Sequence, residues 1–238
     1  MLDTTGSLLT VENLNAWYGE SHILHGVTFN VNQGEVVTLL GRNGAGKTTT
    51  LKSIMGIVGK RTGTVRFAGR EMIAMASNDI ARTGIAFCPE ERGIFASLDV
   101  EENLLLPPEV RPGWLELDRI FELFPNIKER LSSSQGTKLS GGEQQMLAIA
   151  RILRTGARLL LLDEPTEGLA PVIIQQIGKT IGALKSQGFT ILLVEQNFRF
   201  ASTVADRYYV MEHGKVVEGF TNDELDANAE KLHDYLGV

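Results

Sequence analysis

The stretch Glu35-Val-Val-Thr-Leu-Leu-Gly-Arg-Asn-Gly-Ala-Gly-Lys-Thr48 decides the fold. It begins with β-branched and aliphatic residues almost without interruption, which is typical of a strand that is buried on both faces. Glycines at 41, 44 and 46 then form a turn, and the spacing from residue 47 to about residue 57 predicts a helix. A strand, a glycine-rich turn and a helix in this order predict half of a βαβ unit.

Segments on both sides of this stretch extend the prediction. Residues 158–162 and 189–194 are two more buried strands, and a helix is expected between them from about residue 171 to 187. Upstream, residues 8–11 and 27–31 have the character of antiparallel strands. The sequence therefore predicts an α/β fold with a mainly parallel sheet and an N-terminal antiparallel β layer.

A long middle segment has no strand signals. From about residue 98 to 153 the apolar spacing becomes helical, and prolines at 107, 108 and 112 interrupt its start. We interpret it as an α-helical subdomain inserted into one domain that spans residues 1–238, with a core formed by residues 1–97 and 154–238.

The last part of the chain predicts a hairpin and a closing helix. Residues 207–211 and 215–219 flank His213-Gly214, a pair typical of a tight turn between two strands. Residues 222–236 have the spacing of an amphipathic helix.

The glycine-rich turn fits the phosphate-binding pattern G-x-x-x-x-G-K-[ST] between a strand and a helix. Its glycines let backbone N–H groups turn inward around a triphosphate, and the positive helix end attracts anions. Lys47 is predicted to neutralise the β- and γ-phosphates, and Thr48 to offer its hydroxyl to Mg²⁺. The predicted nucleotide-binding residues of this segment are Gly41, Arg42, Asn43, Gly44, Ala45, Gly46, Lys47, Thr48 and Thr49.

Two carboxylates end the apolar run of residues 158–162. Because adjacent residues of a strand point to opposite sides, Asp163 and Glu164 need not share one role. Asp163 is predicted to hold Mg²⁺, through water, and Glu164 to orient and activate the water that attacks the γ-phosphate. The alternative is a strand with a solvated polar end, which the phosphate-binding pattern disfavours.

Residues 139–145, Leu-Ser-Gly-Gly-Glu-Gln-Gln, predict the start of a helix. Ser140 and Glu143 fit the capping box S-x-x-E. A cap does not explain Gly141 and Gly142, since a glycine inside a helix costs about 1 kcal/mol relative to alanine. A helix start without side chains favours the approach of a phosphate to its N–H groups.

These motifs resemble those of the ABC ATPase family, and the resemblance runs over essentially the whole chain. Residues 139–144 are similar to the family's signature sequence, and residues 158–164 resemble a Walker B segment. The resemblance implies a P-loop NTPase (RecA-like) core and two ATP molecules sandwiched between two chains. It also implies that Tyr18 stacks on adenine, with a core tyrosine as the alternative. By the same resemblance, the residues acting in trans are Ser140, Gly141, Gly142 and Glu143.

Three positions depart from the commonest family pattern. Glu90 aligns with a glutamine that serves Mg²⁺ and the membrane partner, and Ala170 replaces an aspartate that often crosses the dimer interface. Gln196 stands where a histidine is usual; it can hydrogen-bond a phosphate or water but cannot titrate near neutral pH. The resemblance thus implies Glu164, Gln196 and Lys47 as catalytic residues and Thr48, Asp163 and Glu90 as metal ligands.

Taken as a set, residues 89–90, 164–171 and 194–197 resemble the shorter ATP-binding subunit of branched-chain amino acid importers. This implies ATP and Mg²⁺ as cofactors, and as partners a second ATPase subunit in a homo- or heterodimer, transmembrane permeases and, indirectly, a periplasmic substrate-binding protein. Importers of urea, short amides or other amino acids remain open as alternatives. So do a non-transport ABC ATPase acting on nucleic acid and a nucleotide-binding module with an inactive site.

The composition limits the class of protein. A net charge of −6 over 238 residues does not favour nucleic acid as a partner, because backbone phosphates attract basic surfaces. The single cysteine, Cys88, excludes an intrachain disulfide and indicates a reducing compartment. Residues 1–10 lack a signal-peptide pattern, and no apolar run approaches the roughly 20 residues of a membrane-spanning helix. We therefore expect a cytoplasmic chain, peripheral on the inner face of the cell membrane, that acts there through a partner.

Overall fold

The computed structural model describes residues 6–110, 116–131 and 138–237, which form two sheets and a set of helices. Helices connect the strands of the larger sheet from β3 to β9, as expected for an α/β protein. The strands are β1 (Ser7–Tyr18), β2 (Ser21–Asn32), β3 (Val36–Leu40), β4 (Lys60–Phe67), β5 (Arg70–Glu71), β6 (Ile85–Cys88), β7 (Leu159–Asp163), β8 (Thr190–Glu195), β9 (Arg207–Glu212) and β10 (Lys215–Thr221). The helices are α1 (Lys47–Ile54), α2 (Ser77–Arg82), α3 (Val100–Leu105), α4 (Leu117–Leu123), α5 (Pro125–Arg130), α6 (Gly141–Arg154), α7 (Pro171–Ser186), α8 (Phe198–Ala201) and α9 (Ala229–Leu236).

The larger sheet is mainly parallel, as predicted. Its strand order is β10-β9-β3-β8-β7-β6, and every neighbouring pair is parallel except β9 and β10. All residues of β3, β7 and β8 are buried, which explains their continuous apolar sequences. Since parallel strands end at the same edge of a sheet, the segments after β3, β7 and β8 meet there.

The smaller sheet is the predicted antiparallel layer, with the order β2-β1-β4-β5. β1 and β2 are both 12 residues long and exceed the predicted strands. The register of β1 shifts between Val11 and Leu14, around Asn13 with its positive φ of 51°. This irregularity breaks the alternation of apolar and polar residues that the sequence prediction requires.

The two faces of the larger sheet carry two apolar cores. Alternate residues of β3 divide between them: Leu40 packs in the core that includes α6, and Leu39 in the core that includes β1 and β2. The strands whose C-terminal ends form this edge of the sheet are thereby packed on both faces.

The described residues between β6 and β7 contain helices α3 to α6 and no strand, in agreement with the predicted helical character. Pro112 lies outside the described residues. Among the described residues, no helix has the length and apolar character that crossing a membrane requires.

The predicted helix over residues 222–236 is wrong in its first half. Two short 3₁₀ turns, Asn222–Glu224 and Asp226–Asn228, precede α9. The Glu224 carboxylate accepts from the Thr221 N–H (2.8 Å), and the Asn228 side chain donates to the Glu224 carbonyl (2.8 Å). Such local side-chain to backbone bonds compete with a regular helix.

Candidate nucleotide-binding site

The loop between β3 and α1 is held by close packing against β2, β9 and the β9–β10 turn. A Cβ atom at Gly41 would lie 2.5 Å from the Met211 carbonyl oxygen, and one at Gly46 would lie 2.9 Å from Leu24 Cδ2. Gly46 also has φ 103°, which favours glycine. The Gly214 N–H donates to the Ala45 carbonyl (2.9 Å) from the β9–β10 turn. The sequence pattern of the loop thus follows from this packing as well as from its predicted ligand.

Lys47 is the first residue of α1 and is 4% exposed. Its Nζ donates to the carbonyls of Gly41 (2.8 Å) and Arg42 (3.2 Å) and lies 3.1 Å from Glu164 Oε1. The structure therefore brings together two of the three predicted catalytic residues.

Thr48 and Asp163 form the neighbouring contact. Thr48 Oγ1 donates to Asp163 Oδ1 (3.0 Å), while Asp163 Oδ2 is buried and has no hydrogen-bond partner. Burial raises the pKa of Asp163 to about 6; the charges of Glu164 and Glu90 act in the same direction, and the Thr48 hydrogen bond opposes them. This environment disfavours an unpaired anion and fits a carboxylate that receives a cation.

The donor set suits Mg²⁺ held together with phosphate oxygens. A buried carboxylate with a free oxygen beside a hydroxyl supplies hard oxygen ligands, and Mg²⁺ is usually bound by one or two carboxylates plus substrate phosphates and water. Among the residues that the structure describes, no group of three or more His, Cys, Asp or Glu side chains could hold a metal ion. The carboxylate and the hydroxyl fit a Mg²⁺ ion whose other ligands are phosphate oxygens and water.

The expectation that the two carboxylates point to opposite sides is wrong. Asp163 contacts Thr48 and Glu164 contacts Lys47, so both reach the same end of α1. Glu164 has φ 43° and lies beyond the last residue of β7, where strand alternation ends.

A cleft of about 430 Å³ opens above the loop. Tyr18 borders it and is 49% exposed, so the alternative of a core tyrosine is wrong; stacking on adenine stays a prediction. Glu90 is exposed and lines the same cleft. Its other lining residues are Ile23, Asn43, Gly44, Gly46, Lys47, Thr48, Thr49, Glu164 and Glu167.

Arg42 contacts the end of α9 with its side chain. Its Nε donates to the Tyr235 carbonyl (3.0 Å) and its Nη2 to the Asp234 carbonyl (3.1 Å). A cation at the C-terminus of a helix is favourable. The guanidinium thus ties the loop to α9, and only the backbone of Arg42 remains as a candidate ligand for phosphate.

The predicted capping box at the start of α6 is present. The Ser140 N–H donates to Glu143 Oε2 (2.8 Å), and the Glu143 N–H donates to Ser140 Oγ (3.3 Å). Although burial acts to raise the pKa of Glu143, the hydrogen bonds from Ser140 and the charge of Arg130 hold it below its usual value. Ser140 is exposed, which leaves this helix end open to a partner.

Gly142 has a different explanation from the one its sequence suggests. It is buried, and a Cβ atom there would lie 2.8 Å from Cγ1 of Ile173 on α7. Packing of α6 against α7 therefore requires this glycine within the chain. Gly141 is only partly buried, next to the guanidinium of Arg92.

The remaining predicted residues lie apart from the cleft lining. Ser140 to Glu143 do not border it, and their action in trans stays a prediction. Gln196 is exposed after β8, and its side chain makes no hydrogen bond within the described part of the chain.

Sequence reasoning missed Thr166 and Glu195. They are 4% and 2% exposed, and Thr166 Oγ1 donates to Glu195 Oε1 (2.7 Å). Burial raises the pKa of Glu195 to about 7. The available signal was a carboxylate at the end of an apolar strand, as at Asp163.

This site defines a nucleotide-binding α/β domain, and comparison with known proteins assigns its family. The family model described as ABC transporter matches residues 24–167. The chain belongs to the ABC transporter family, as an ATP-binding domain that hydrolyses ATP.

Individual relatives cover nearly the full chain. The high-affinity branched-chain amino acid transport ATP-binding protein BraG of Pseudomonas aeruginosa is 44% identical, over 97% of this chain and 100% of the relative. The lipopolysaccharide export system ATP-binding protein LptB of Haemophilus influenzae is 34% identical, over 97% of this chain and 98% of the relative. A solved ATP-binding subunit of an ABC transporter aligns with a TM-score of 0.80 at 28% identity, covering 98% of this chain and 100% of that one.

Proposed function

We propose that this chain is the ATP-hydrolysing subunit of an ABC importer that takes up branched-chain amino acids. The observation that carries the proposal is the 44% identity to BraG over the relative's whole length. The segments 89–90, 164–171 and 194–197, which resemble this type of importer, support it.

ATP binds with its base on Tyr18 and its phosphates in the loop of residues 41–48. The Nζ of Lys47, which carbonyl groups of the loop already position, neutralises the β- and γ-phosphates. Thr48 and Asp163 would hold Mg²⁺, with Glu90 beside them. The metal supplies charge compensation on the phosphate oxygens when it is bound.

Glu164 orients the attacking water and accepts its proton. The Glu164 N–H donates to the Val194 carbonyl (2.9 Å), which fixes the carboxylate at the sheet edge. Gln196, on the segment after β8, hydrogen-bonds the γ-phosphate or the water. Positioning and charge, without a covalent intermediate, account for catalysis in such a site.

A second ATPase subunit completes the site, and ATP hydrolysis drives the permeases. The exposed start of α6, with Ser140 and Gly141, covers the nucleotide of the other subunit. Exposed apolar side chains lie near α3, at Phe95, Leu105 and Leu106, and fit contact with a permease. We place the helical subdomain at about residues 98–153 and the chain on the cytoplasmic face of the membrane. A periplasmic substrate-binding protein acts indirectly.

The test is uptake of labelled leucine, isoleucine and valine in cells that lack the gene for this chain. We expect the wild-type gene to restore uptake and Glu164→Gln to fail. Normal amino acid uptake without the gene, together with loss of urea or acetamide uptake, would support an importer of those substrates instead. A defect in lipopolysaccharide export would support the function named for LptB, which has 34% identity in its favour.

A further inference from the structure

Two buried polar side chains join the segment that follows β7 to the last residue of β8. Thr166 Oγ1 donates to Glu195 Oε1 (2.7 Å), and the Asn197 N–H donates to Glu195 Oε2 (3.2 Å). Both carboxylate oxygens of Glu195 are therefore engaged. We call the contact between the two side chains the Thr166–Glu195 clasp.

The clasp residues are close in sequence to the predicted catalytic residues Glu164 and Gln196. β7 and β8 are parallel neighbours, with Asp163 opposite Val194. Glu164 follows the end of β7 and Gln196 follows the end of β8, so the clasp connects their segments by side chains.

The backbone at Glu164 needs such support. Its φ of 43° lies in the left-handed region, which is strained for a residue with a side chain. Backbone bonds from Glu164 to Val194 (2.9 Å) and from Glu167 to Glu164 (3.1 Å) hold this conformation. The clasp adds the side-chain contact that holds the end of this turn against β8.

Folding alone does not favour a carboxylate at position 195. The group is 2% exposed and lies near the negative charge of Glu164, and both effects raise its pKa. A buried carboxylate with a stability cost is typical of a functional site.

We propose that Thr166 and Glu195 are positioning residues for ATP hydrolysis, because their hydrogen bond fixes Glu164 relative to Gln196. The inference rests on the proposed roles of Glu164 and Gln196. Neither clasp residue lines the cleft, so they act through the two catalytic side chains.

Thr166→Val, which keeps the shape of the side chain and removes the hydroxyl, tests the clasp in the full-length chain assembled with its second ATPase subunit and permeases. We expect kcat to fall about 10- to 100-fold, as when a supporting hydrogen bond to catalytic groups is lost. The KM for ATP should change less than about twofold, because the nucleotide contacts remain. Thr166→Ser should recover most of kcat. Thr180→Val, which alters a buried threonine of α7, is the matched control.

A double-mutant cycle with Glu195→Ala tests whether the two substitutions act through the same hydrogen bond or cause independent losses of kcat. Because both substitutions remove the same hydrogen bond, the double variant should lose no more kcat than Glu195→Ala alone. Binding of a fluorescent ATP analogue verifies that each variant is folded. If Thr166→Val does not fold, Thr166→Ala replaces it, because it also removes the donor hydroxyl, and should show the same loss of kcat at unchanged KM.

Wild-type kcat in Thr166→Val, or losses that add in the double variant, would overturn the clasp. An inactive wild-type chain, tested with its permeases and second ATPase subunit, would instead contradict the proposed function. The two failures are therefore distinguishable.

Discussion

At the scale of single residues, the pair Lys47 and Glu164 combines opposite charges in a nearly buried setting. Their side chains are 4% and 10% exposed, and their charged atoms lie 3.1 Å apart. Removal of one charge leaves the other without its partner, which is costly in a buried site. A substitution that keeps the shape and the hydrogen-bonding capacity is therefore the informative one.

Glu164→Gln should bind ATP and stop hydrolysing it. The amide oxygen still accepts from Lys47, but it cannot take a proton from water. We expect kcat to fall about 100-fold or more, the usual contribution of a general base. Phosphate release and binding of a fluorescent nucleotide measure the two properties separately. Glu129→Gln, at an exposed position of α5, is the control; near-normal hydrolysis in Glu164→Gln would exclude this glutamate as the base.

Glu195 should make stability fall as the pH rises. Its pKa is about 7 in the folded chain and 4.5 as the ordinary value, so the unfolded chain loses the proton first. Its stabilising contribution is complete below about pH 4.5 and is lost as the pH rises through 7. Thermal unfolding at pH 5, 6, 7 and 8 should show wild type losing stability relative to Glu195→Gln. A difference in melting temperature that is constant over this range would contradict the assignment.

A site could be predicted from the sequence where the signal is contiguous. Residues 41–48 carry their chemistry in one short run, because a loop that wraps a phosphate needs neighbouring N–H groups. Thr166 and Glu195 are 29 positions apart and meet only through the register of β7 and β8. No local pattern specifies that register, which is why the pair was missed.

At the scale of elements, the packing of α6 on α7 decides what Gly142 does. The sequence suggested that a phosphate requires this glycine, whereas the structure places Ile173 against it.

The end of α1 also differs from the sequence prediction. The helix stops at Ile54, and Gly56 with φ 71° follows it. Spacing alone predicted a longer helix, because apolar residues continue past the point where the backbone turns.

Gly142→Ala should destabilise the chain through contact with Ile173. A Cβ atom 2.8 Å from Cγ1 forces a shift, and overpacking of this kind costs about 1–3 kcal/mol. Ile173→Ala should relieve the defect in the double variant, as measured by urea unfolding. Gly182→Ala, at an α7 glycine with nothing within 4 Å, should be neutral or stabilising. Failure of Ile173→Ala to relieve the loss would show that α7 packing is not the reason for the glycine.

At the scale of the whole molecule, one sheet edge collects residues from distant parts of the chain. β3, β7 and β8 deliver Lys47, Asp163 and Glu195 to neighbouring positions because they are parallel and adjacent. The sequence predicted the parallel sheet from three apolar strands, but not the place of Glu195 in it. It did not predict β4 or β5: the eight residues of β4 include only two that are buried, so they lack the apolar signal of a core strand.

Ser140→Ala should lower the rate of ATP hydrolysis only in the assembled complex. In the isolated chain, Ser140→Ala removes a helix cap, a loss of about 1 kcal/mol that leaves ATP affinity unchanged. In a complex with a second ATPase subunit it also removes a contact to that subunit's nucleotide, so hydrolysis should fall further. Asp99→Ala, which breaks the equivalent capping box of α3, is the matched control. Equal activity of the two variants in the complex would contradict a role for Ser140 in trans.

The contact between Arg42 and α9 links the last described helix to the phosphate loop. The guanidinium lies close to Gly237, where a Cβ atom would be 2.5 Å from Nη2. We expect a dye attached near this end to change its fluorescence when ATP binds, and a titration with ATP measures that change. An affinity tag fused there would disturb the same loop, so enzymatic assays call for a tag at the opposite terminus.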